Sequence, residues 1–418
     1  MTRRNAAGQP AGIEAVEAVL LTDAFVADPY PALDRLRELA PVYWSPSVGG
    51  WILTRYDDVV STFKNPAEYC NEGRLGQASR HLPAEDRREL QTFEAHYRTK
   101  GLLHSDPPDH TRLRRLVLKA FSPRVIESMR PRIQRVVDDL IDRVRPDGGM
   151  EVIEDLAFAL PVTVLAGLLG VPASDGVWFG EWADRLLAFQ GVNRPGRDVL
   201  LAAQTALLEA RAYLAELIAL RRREPGEDLM TLMTLSTPEG ESLTDDEIIN
   251  TGITLLTAGH ETTTSLIGNG LFTMLSNPEQ WARLRADRSL LKPAIEEMLR
   301  YESPVARQPR LLKCDTDLRG FTLKAGQMAF QMLGAANRDP AQFDEPATFD
   351  IGRTPNRHIA FGQGIHFCIG APLSRTEGEI VFSTILERLP TIRLVESEPA
   401  WDTRKANSRV LRTLPVTF

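Results

Sequence analysis

The chain has 418 residues, 43% of them apolar and 25% charged, the balance of an ordinary globular protein with material for a large core. A net charge of −7 argues against nucleic acid as a general partner. Three cysteines, Cys70, Cys314 and Cys368, lie far apart and are odd in number, which argues against a disulfide framework and for a reducing compartment.

In chain order, residues 1–15 read as a loose N-terminus. Arg3 and Arg4 precede no apolar run, because Pro10, Glu14 and Glu17 break it. That excludes a secretory signal, a twin-arginine signal and a membrane anchor, and leaves the cytoplasm as the expected location. "PVYWSP" and "GWILTRY" read as short strands. "AEDRRELQTFEAHYR", residues 84–98, reads as a short helix with Leu90, Phe93 and Tyr97 on one stripe, suited to a lid or to core packing. "DPPDHTRLRRLVLKAF", 106–121, reads as a helix with Asp106 as its N-cap and prolines in its first turn. Leu113, Val117 and Phe121 share one side of it with His110 and Arg114. Arg112, Arg115 and Lys119 take the other. A cation on an inward face needs an anion, either an internal carboxylate or a ligand's.

Residues 189–197, "FQGVNRPGR", read as a loop between helices. The segment 243–278 reads as one long helix, opened by a capping box from Thr244 and Glu247 and closed at Asn277-Pro278. Its roughly 30 residues span about 45 Å. It is not a membrane span, because His260 and Glu261 sit at its middle. There "AGHETT" puts a glycine inside a helix, at a cost of about 1 kcal/mol, followed by an acid and a hydroxyl. That pattern also fits a solvated glutamate and threonines bonded back to helix carbonyls. "AIEEMLRYESP" places Glu297 and Arg300 on one helix face, an arrangement that on a surface is worth little. "RLLKCDTDLRGFTLKAGQMAFQML" reads as strand, turn, strand broken by Gly320 and Gly326, and "TLPVTF" as a last strand. The fold class is mainly α with small β-sheets (α+β), with no composition shift to mark a domain boundary.

"FGQGIHFCIG", 361–370, is the most unusual stretch. Its glycines allow tight turns and close backbone approach to something flat. A helical pattern follows Cys368, and a helix N-terminus favours thiolate. A zinc site needs further ligands at a characteristic spacing, and none follow. A nucleophilic cysteine needs a base, and His366 lies in the same turn without a pairing signature. A single thiolate ligand to haem iron remains.

Taken together, these motifs resemble those of soluble bacterial cytochromes P450, over nearly the whole chain. "FGQGIHFCIGAPLSR" is similar to that family's haem loop, "AGHETT" to its oxygen-activation motif, "EEMLR" to its Glu-x-x-Arg helix. "DPPDHTRLR" resembles its propionate-binding helix, and "GAANRDPAQFDEPATFDIGR" its approach to the haem loop. Ser374 departs from the alanine common in the family. The resemblance implies the cytochrome P450 fold, with the long central helix over the haem. It implies a single haem-thiolate monooxygenase domain over 16–418 and haem b (iron protoporphyrin IX) as cofactor. Cys368 would be the iron ligand, in a loop that includes Gly370. His110, Arg114, Arg310 and His366 would meet the propionates, and Phe361 would pack on the thiolate loop. Ala258 and Gly259 would leave space for O2, while Glu261 and Thr262 deliver protons. Glu297 and Arg300 would join Arg353 in a structural network.

The implied partners are a ferredoxin or flavodoxin with its reductase, since the chain past the recognised motifs is too short for an electron-transfer domain. The Arg112, Arg115 and Lys119 face would be an acidic ferredoxin's dock or an ordinary solvated face. The substrate would be a lipophilic small molecule, such as a polyketide, terpenoid, steroid or fatty acyl chain, with Val305, Ala306 and Val410 among the pocket residues. A monomer is expected. Two rivals are a peroxide-driven peroxygenase, disfavoured by the acid–alcohol pair, and a haem sensor, in which that pair has no use.

Overall fold

The computed structural model describes residues 12–118, 121–172, 175–192, 194–235, 240 and 242–418. The chain groups into two compact units, each made of three chain segments. One of the boundaries falls inside the helix Asp245–Ser276 and the others at element ends or in loops.

The first unit comprises residues 1–70, 268–368 and 397–413. Its centre is a five-stranded sheet in the order Val42–Ser45, Gly50–Leu53, Met328–Gln331, Gln308–Leu312, Tyr69–Cys70. Gly50–Leu53 pairs parallel with Met328–Gln331, and the other pairings are antiparallel. All four residues of Gly50–Leu53 are buried, as befits a strand with a neighbour on each edge. Val42, Leu53, Val59, Phe63, Leu312, Leu333 and Ile359 form the core on this sheet. The segment expected as strand, turn, strand contributes four strands, because Thr316–Leu318 and Phe321–Leu323 form a hairpin of their own. Gly320 and Gly326 hold its turns at φ 80° and 79°, a backbone region that side chains disfavour. The loose N-terminus expected over 1–15 meets a helix from Ile13 to Glu17 with Ile13 fully buried. Residues 1–11 lie outside the described residues.

The Glu297–Arg300 pair has no surface character. Both side chains are fully buried, and the Arg300 Nε and Nη2 each donate to the Glu297 carboxylate at 2.7 Å. Arg300 also donates to the carbonyls of Asn337, Pro346 and Thr348. Arg353 joins through its Nε at 3.1 Å from Glu297. This network fastens the segment that leads to the cysteine loop.

The second unit comprises 71–267, 369–396 and 414–418. Pro123–Val144 packs along Ala371–Arg388, tied by Arg130 to Glu379 at 2.7 Å and Gln134 to Thr384 at 3.0 Å. Pro415–Thr417 is the middle strand of a small sheet with Gly149–Glu151 and Arg393–Leu394. The long helix runs Asp245–Ser276, with residues 245–267 in this unit. Its capping box is formed as expected: Thr244 N donates to Glu247 and Glu247 N to the Thr244 hydroxyl.

Two further expectations change. The stripe over 84–98 forms two helices, Ala84–Glu89 and Gln91–Arg98, joined at Leu90. Leu90, Phe93 and Tyr97 are buried together with Phe189 and Leu200, so the stripe serves packing. The helix expected to open at Asp106 starts at Asp109, and Asp106 also serves another segment. Its carboxylate accepts from Asn71 N and Glu72 N, both at 3.1 Å, and so anchors an upstream turn. None of the described helices is long and apolar enough to cross a membrane.

Candidate haem-thiolate site

In the first unit, the cysteine loop is shaped by backbone. Gly362 and Gly364 have φ of 69° and 71°. A Cβ at Gly364 would stand 2.2 Å from the Phe63 carbonyl oxygen, so only glycine fits there. The turn brings Cys368 N to donate to Phe361 O at 3.0 Å, which closes the loop on itself. Cys368 is exposed and His366, two residues before it, is half-buried. Phe361 packs edge-on against Phe367 at 6.4 Å. Arg310, on the strand Gln308–Leu312, is 3% exposed, and its guanidinium lies 5.1 Å from the Phe63 ring. Phe63 therefore touches both the glycine turn and Arg310, and this places Arg310 in the neighbourhood of the loop that carries His366 and Cys368. Gly370 has ordinary right-handed angles, so its backbone does not require glycine. Val305 pairs with Ser408 in an isolated bridge, and Val410 is buried nearby in the chain.

In the second unit, the long helix is buried almost without interruption from Glu247 to Leu271. Ala258 is exposed, and Gly259, Glu261 and Thr262 are partly exposed, as a single strip at its middle. Between Glu247 and Ile267 the helix is accessible only along that strip. Gly259 has a different role from the one expected. A Cβ on it would come within 2.7 Å of the Leu165 side chain, so its bareness serves helix packing, and Ala258 supplies the opening. The Thr262 hydroxyl donates to Ala258 O at 2.8 Å, the back-bond that helix threonines commonly make. His110 is 1% exposed on the inward side of Asp109–Leu118 with Leu113 and Val117, and Arg114 is partly buried.

One group that the motif reading passed over stands near the acid–alcohol pair. Glu377, on Ala371–Arg388, is a buried carboxyl bonded to the side chain of Thr263, the neighbour of Thr262. Burial, only partly offset by that bond, pushes its pKa up to about 8. The Thr263 hydroxyl thus lies between the Glu377 carboxyl and Ser374 Oγ, to which it donates at 3.2 Å. Ser374, the departure from the expected alanine, thus has a partner. A glutamate within a helical apolar pattern gives no sequence signal of this kind, since only packing reveals that it points inward.

The outward basic face is altered. Arg112 is ion-paired with Glu247 of the capping box, so its charge is already matched. Arg115 is exposed, and Lys119 lies outside the described residues.

The donor set suits a metal carried inside a cofactor. Among the described residues there is no group of three or more His, Cys, Asp or Glu side chains able to hold an ion. An exposed thiol on a glycine-shaped turn suits haem iron, which a single protein thiolate can hold.

Comparison with known proteins agrees. The family model described as Cytochrome P450 matches residues 74–169 and 206–412. Cytochrome P450 107B1 of Saccharopolyspora erythraea is 41% identical over 92% of this chain and 93% of its own. Cytochrome P450 monooxygenase PikC of Streptomyces venezuelae is 40% identical over 100% and 97%. The crystal structure of P450BioI, in complex with an acyl carrier protein ligated with hexadec-9Z-enoic acid, superposes with a TM-score of 0.87. It is 36% identical and covers 95% of this chain and 100% of that one. By these matches the chain belongs to the cytochrome P450 family and is a haem monooxygenase.

Proposed function

We propose that Cys368 ligates the iron of haem b, with His110, Arg114, Arg310 and His366 as donors to its propionates, and that Glu261 and Thr262 handle protons. The observation that carries this reading is the strip of exposure at Ala258, Gly259, Glu261 and Thr262 on an otherwise buried helix. A thiolate-bound haem supplies the oxidation itself, which uses O2, two electrons and two protons to place one oxygen atom in a lipophilic substrate. The chain's own residues orient the substrate and ration protons. Thr262 in its resting position gives its proton to Ala258 O, and it must turn from that carbonyl to serve the exposed strip. Glu261 is partly exposed and offers a carboxylate next to it. Glu377, kept neutral by burial up to about pH 8, holds a proton beside the hydroxyl of Thr263, Thr262's neighbour.

Electrons come from a separate ferredoxin or flavodoxin with its reductase, and the protein works as a cytoplasmic monomer. The substrate is a lipophilic molecule of fatty acyl, polyketide, terpenoid or steroid type. Relatives that handle such ligands support this, P450BioI with its hexadec-9Z-enoic acid-ligated carrier protein among them. Phe361 and Gly370 shape the cysteine loop and Gly259 the helix, without touching protons.

The test is spectroscopic. The reduced carbon monoxide adduct is expected to show the red-shifted Soret band of a thiolate ligand, and Cys368→His to move it to the position of a histidine-bound haem. An unchanged band in that variant excludes Cys368 as the ligand. Thr262→Ala is expected to keep substrate binding and reductant consumption while more oxygen leaves as hydrogen peroxide. Coupling at the wild-type level would remove Thr262 from the proton route.

A further inference from the structure

Just after the edge strand Tyr69–Cys70, the chain makes a compact turn, Asn71 to Gln77. Its backbone is held firmly. Asp106 accepts from Asn71 N and Glu72 N, and Lys100 bridges Glu72 at 2.7 Å and Asp109 at 3.2 Å. Asn250 of the long helix donates to Lys100 O at 3.2 Å, which ties the same assembly to that helix.

The side chains of this turn are not satisfied in the same way. Asn71 Nδ2 and Oδ1, Arg74 Nε and Gln77 Nε2 are all sealed from solvent with no hydrogen-bond partner. Gln77 N donates to Arg74 O at 3.2 Å, so Leu75–Gln77 is a turn of 3₁₀ helix, in which side chains three apart eclipse. Arg74 and Gln77 therefore project to one side.

Arg74 is the more telling of the two. Among the described residues it has no carboxylate partner. The acids nearest in the chain are committed elsewhere, Glu72 to Lys100 and Asp106 to two backbone amides. The titratable group that acts on it is Tyr97, a phenol that burial keeps neutral. Desolvation pulls the Arg74 pKa down to about 10, so at neutral pH it still carries its charge. Yet Arg74 is partly accessible. Its Nε is sealed while the rest of the side chain keeps some accessibility, so part of the cation remains within reach of a ligand. The side chains nearby are aromatic: Tyr97 packs on Phe93 at 4.8 Å and on Phe189 at 5.8 Å, with Leu75 in the same cluster.

A buried positive charge without a counter-ion is costly, and a structure that keeps one has a use for it. We infer that Arg74, with Gln77 beside it, receives the carboxylate of a lipophilic acid, so that this enzyme selects substrates bearing an anionic end. The inference rests on the monooxygenase reading for the fate of that substrate, but not for its binding. Haem propionates carry the same chemistry, so the experiment must separate the two sources. The proposal commits to the substrate, because the haem already has four other candidate donors.

The test compares saturated acids of ten to sixteen carbons, and hexadec-9Z-enoic acid, with the alcohols of identical chain. Each is titrated into the holoenzyme at pH 8 and low salt, followed by the haem spectral shift and by the thermal unfolding midpoint. For the chain length that binds best, the acid is expected to bind at least about tenfold more tightly than its alcohol. Arg74→Met is expected to erase that preference while leaving the alcohol within about twofold. Arg74→Lys should restore part of it, and Gln77→Leu should weaken the acid alone by a smaller factor. Three results overturn the proposal. One is the absence of any acid preference across the wild-type series. Another is an equal loss for acid and alcohol in Arg74→Met, the sign of a structural role. The third is an intact preference in that variant together with lowered haem retention, which would assign Arg74 to a propionate. Failure of the monooxygenase reading would appear separately, as a carbon monoxide spectrum without a thiolate signature, while the acid preference in thermal unfolding stood.

Discussion

Two arginines, one in each compact unit, show opposite ways of keeping a charge inside a protein. Arg300 is fully buried and gives every direction of its guanidinium a partner: two bonds to Glu297 and three to carbonyls. Arg74 is desolvated, and its Nε has no acceptor. The first is finished by the fold. The second is finished only by something that arrives. Hydrogen-bond satisfaction thus separates scaffold from recognition where residue type and burial do not, because a sealed polar group without a partner costs about as much as a lost bond.

The most severe challenge to this contrast is at Glu297. Glu297→Ala strips Arg300 and Arg353 of their shared carboxylate and leaves a buried charge behind. A loss of about 3–5 kcal/mol is expected in denaturant unfolding of the holoenzyme. A loss under about 1 kcal/mol would mean that the carbonyl partners alone satisfy Arg300.

Glu377 lies between the two cases, bonded to Thr263 while its Oε1 is sealed without a partner. Its folded pKa, about 8, stands above the ordinary carboxyl value of 4.5. Between those values the unfolded chain releases this proton and the folded one keeps it. Stability therefore falls as pH rises through that window and levels off above it. Glu377→Gln is expected to flatten the thermal unfolding profile between pH 4.5 and about 8, and an unchanged slope would place the carboxyl in a more polar setting.

Arg74→Met probes the contrast from the other side. Removing a charge with no counter-ion should raise the ligand-free unfolding midpoint by roughly 2 °C, where the equivalent change at Arg300 lowers it. A lower midpoint for Arg74→Met would show a structural partner. Arg112→Gln is the smallest change. Its pair with Glu247 is partly solvated, so at most about 1 kcal/mol is at stake and the helix cap stays formed. The same variant checks the idea of an acidic donor docking there: reduction by a ferredoxin should change little, since Arg112 is already neutralised.

Some of these features are legible in the residues alone. The glycines of the cysteine loop work through backbone angles and close approach, which are local, so their spacing announces the loop. The capping box, the strand pair Val42–Ser45 with Gly50–Leu53 and the Glu297–Arg300 face are local for the same reason. Other signals mislead because several structures share them. A stripe of Leu90, Phe93 and Tyr97 looks the same on a lid and in a core. What settles it is Phe189, which arrives from far along the chain and packs on both Phe93 and Tyr97. Asp106 likewise looks only like a cap for the helix after it until the fold brings Asn71 and Glu72 to its carboxylate.

The family, the thiolate, the long helix and the mainly helical class with small sheets all follow from the order of residues. Each rests on groups close together in the chain, whose backbone geometry and periodicity act over one or two turns. Which polar groups lack partners is a property of the folded molecule. Folding puts Glu377 against Thr263, matches Arg112 with Glu247, and leaves Arg74 and Gln77 each with a sealed, unanswered nitrogen. Those outcomes depend on desolvation and on partners far apart in sequence, and both exist only once the chain has folded.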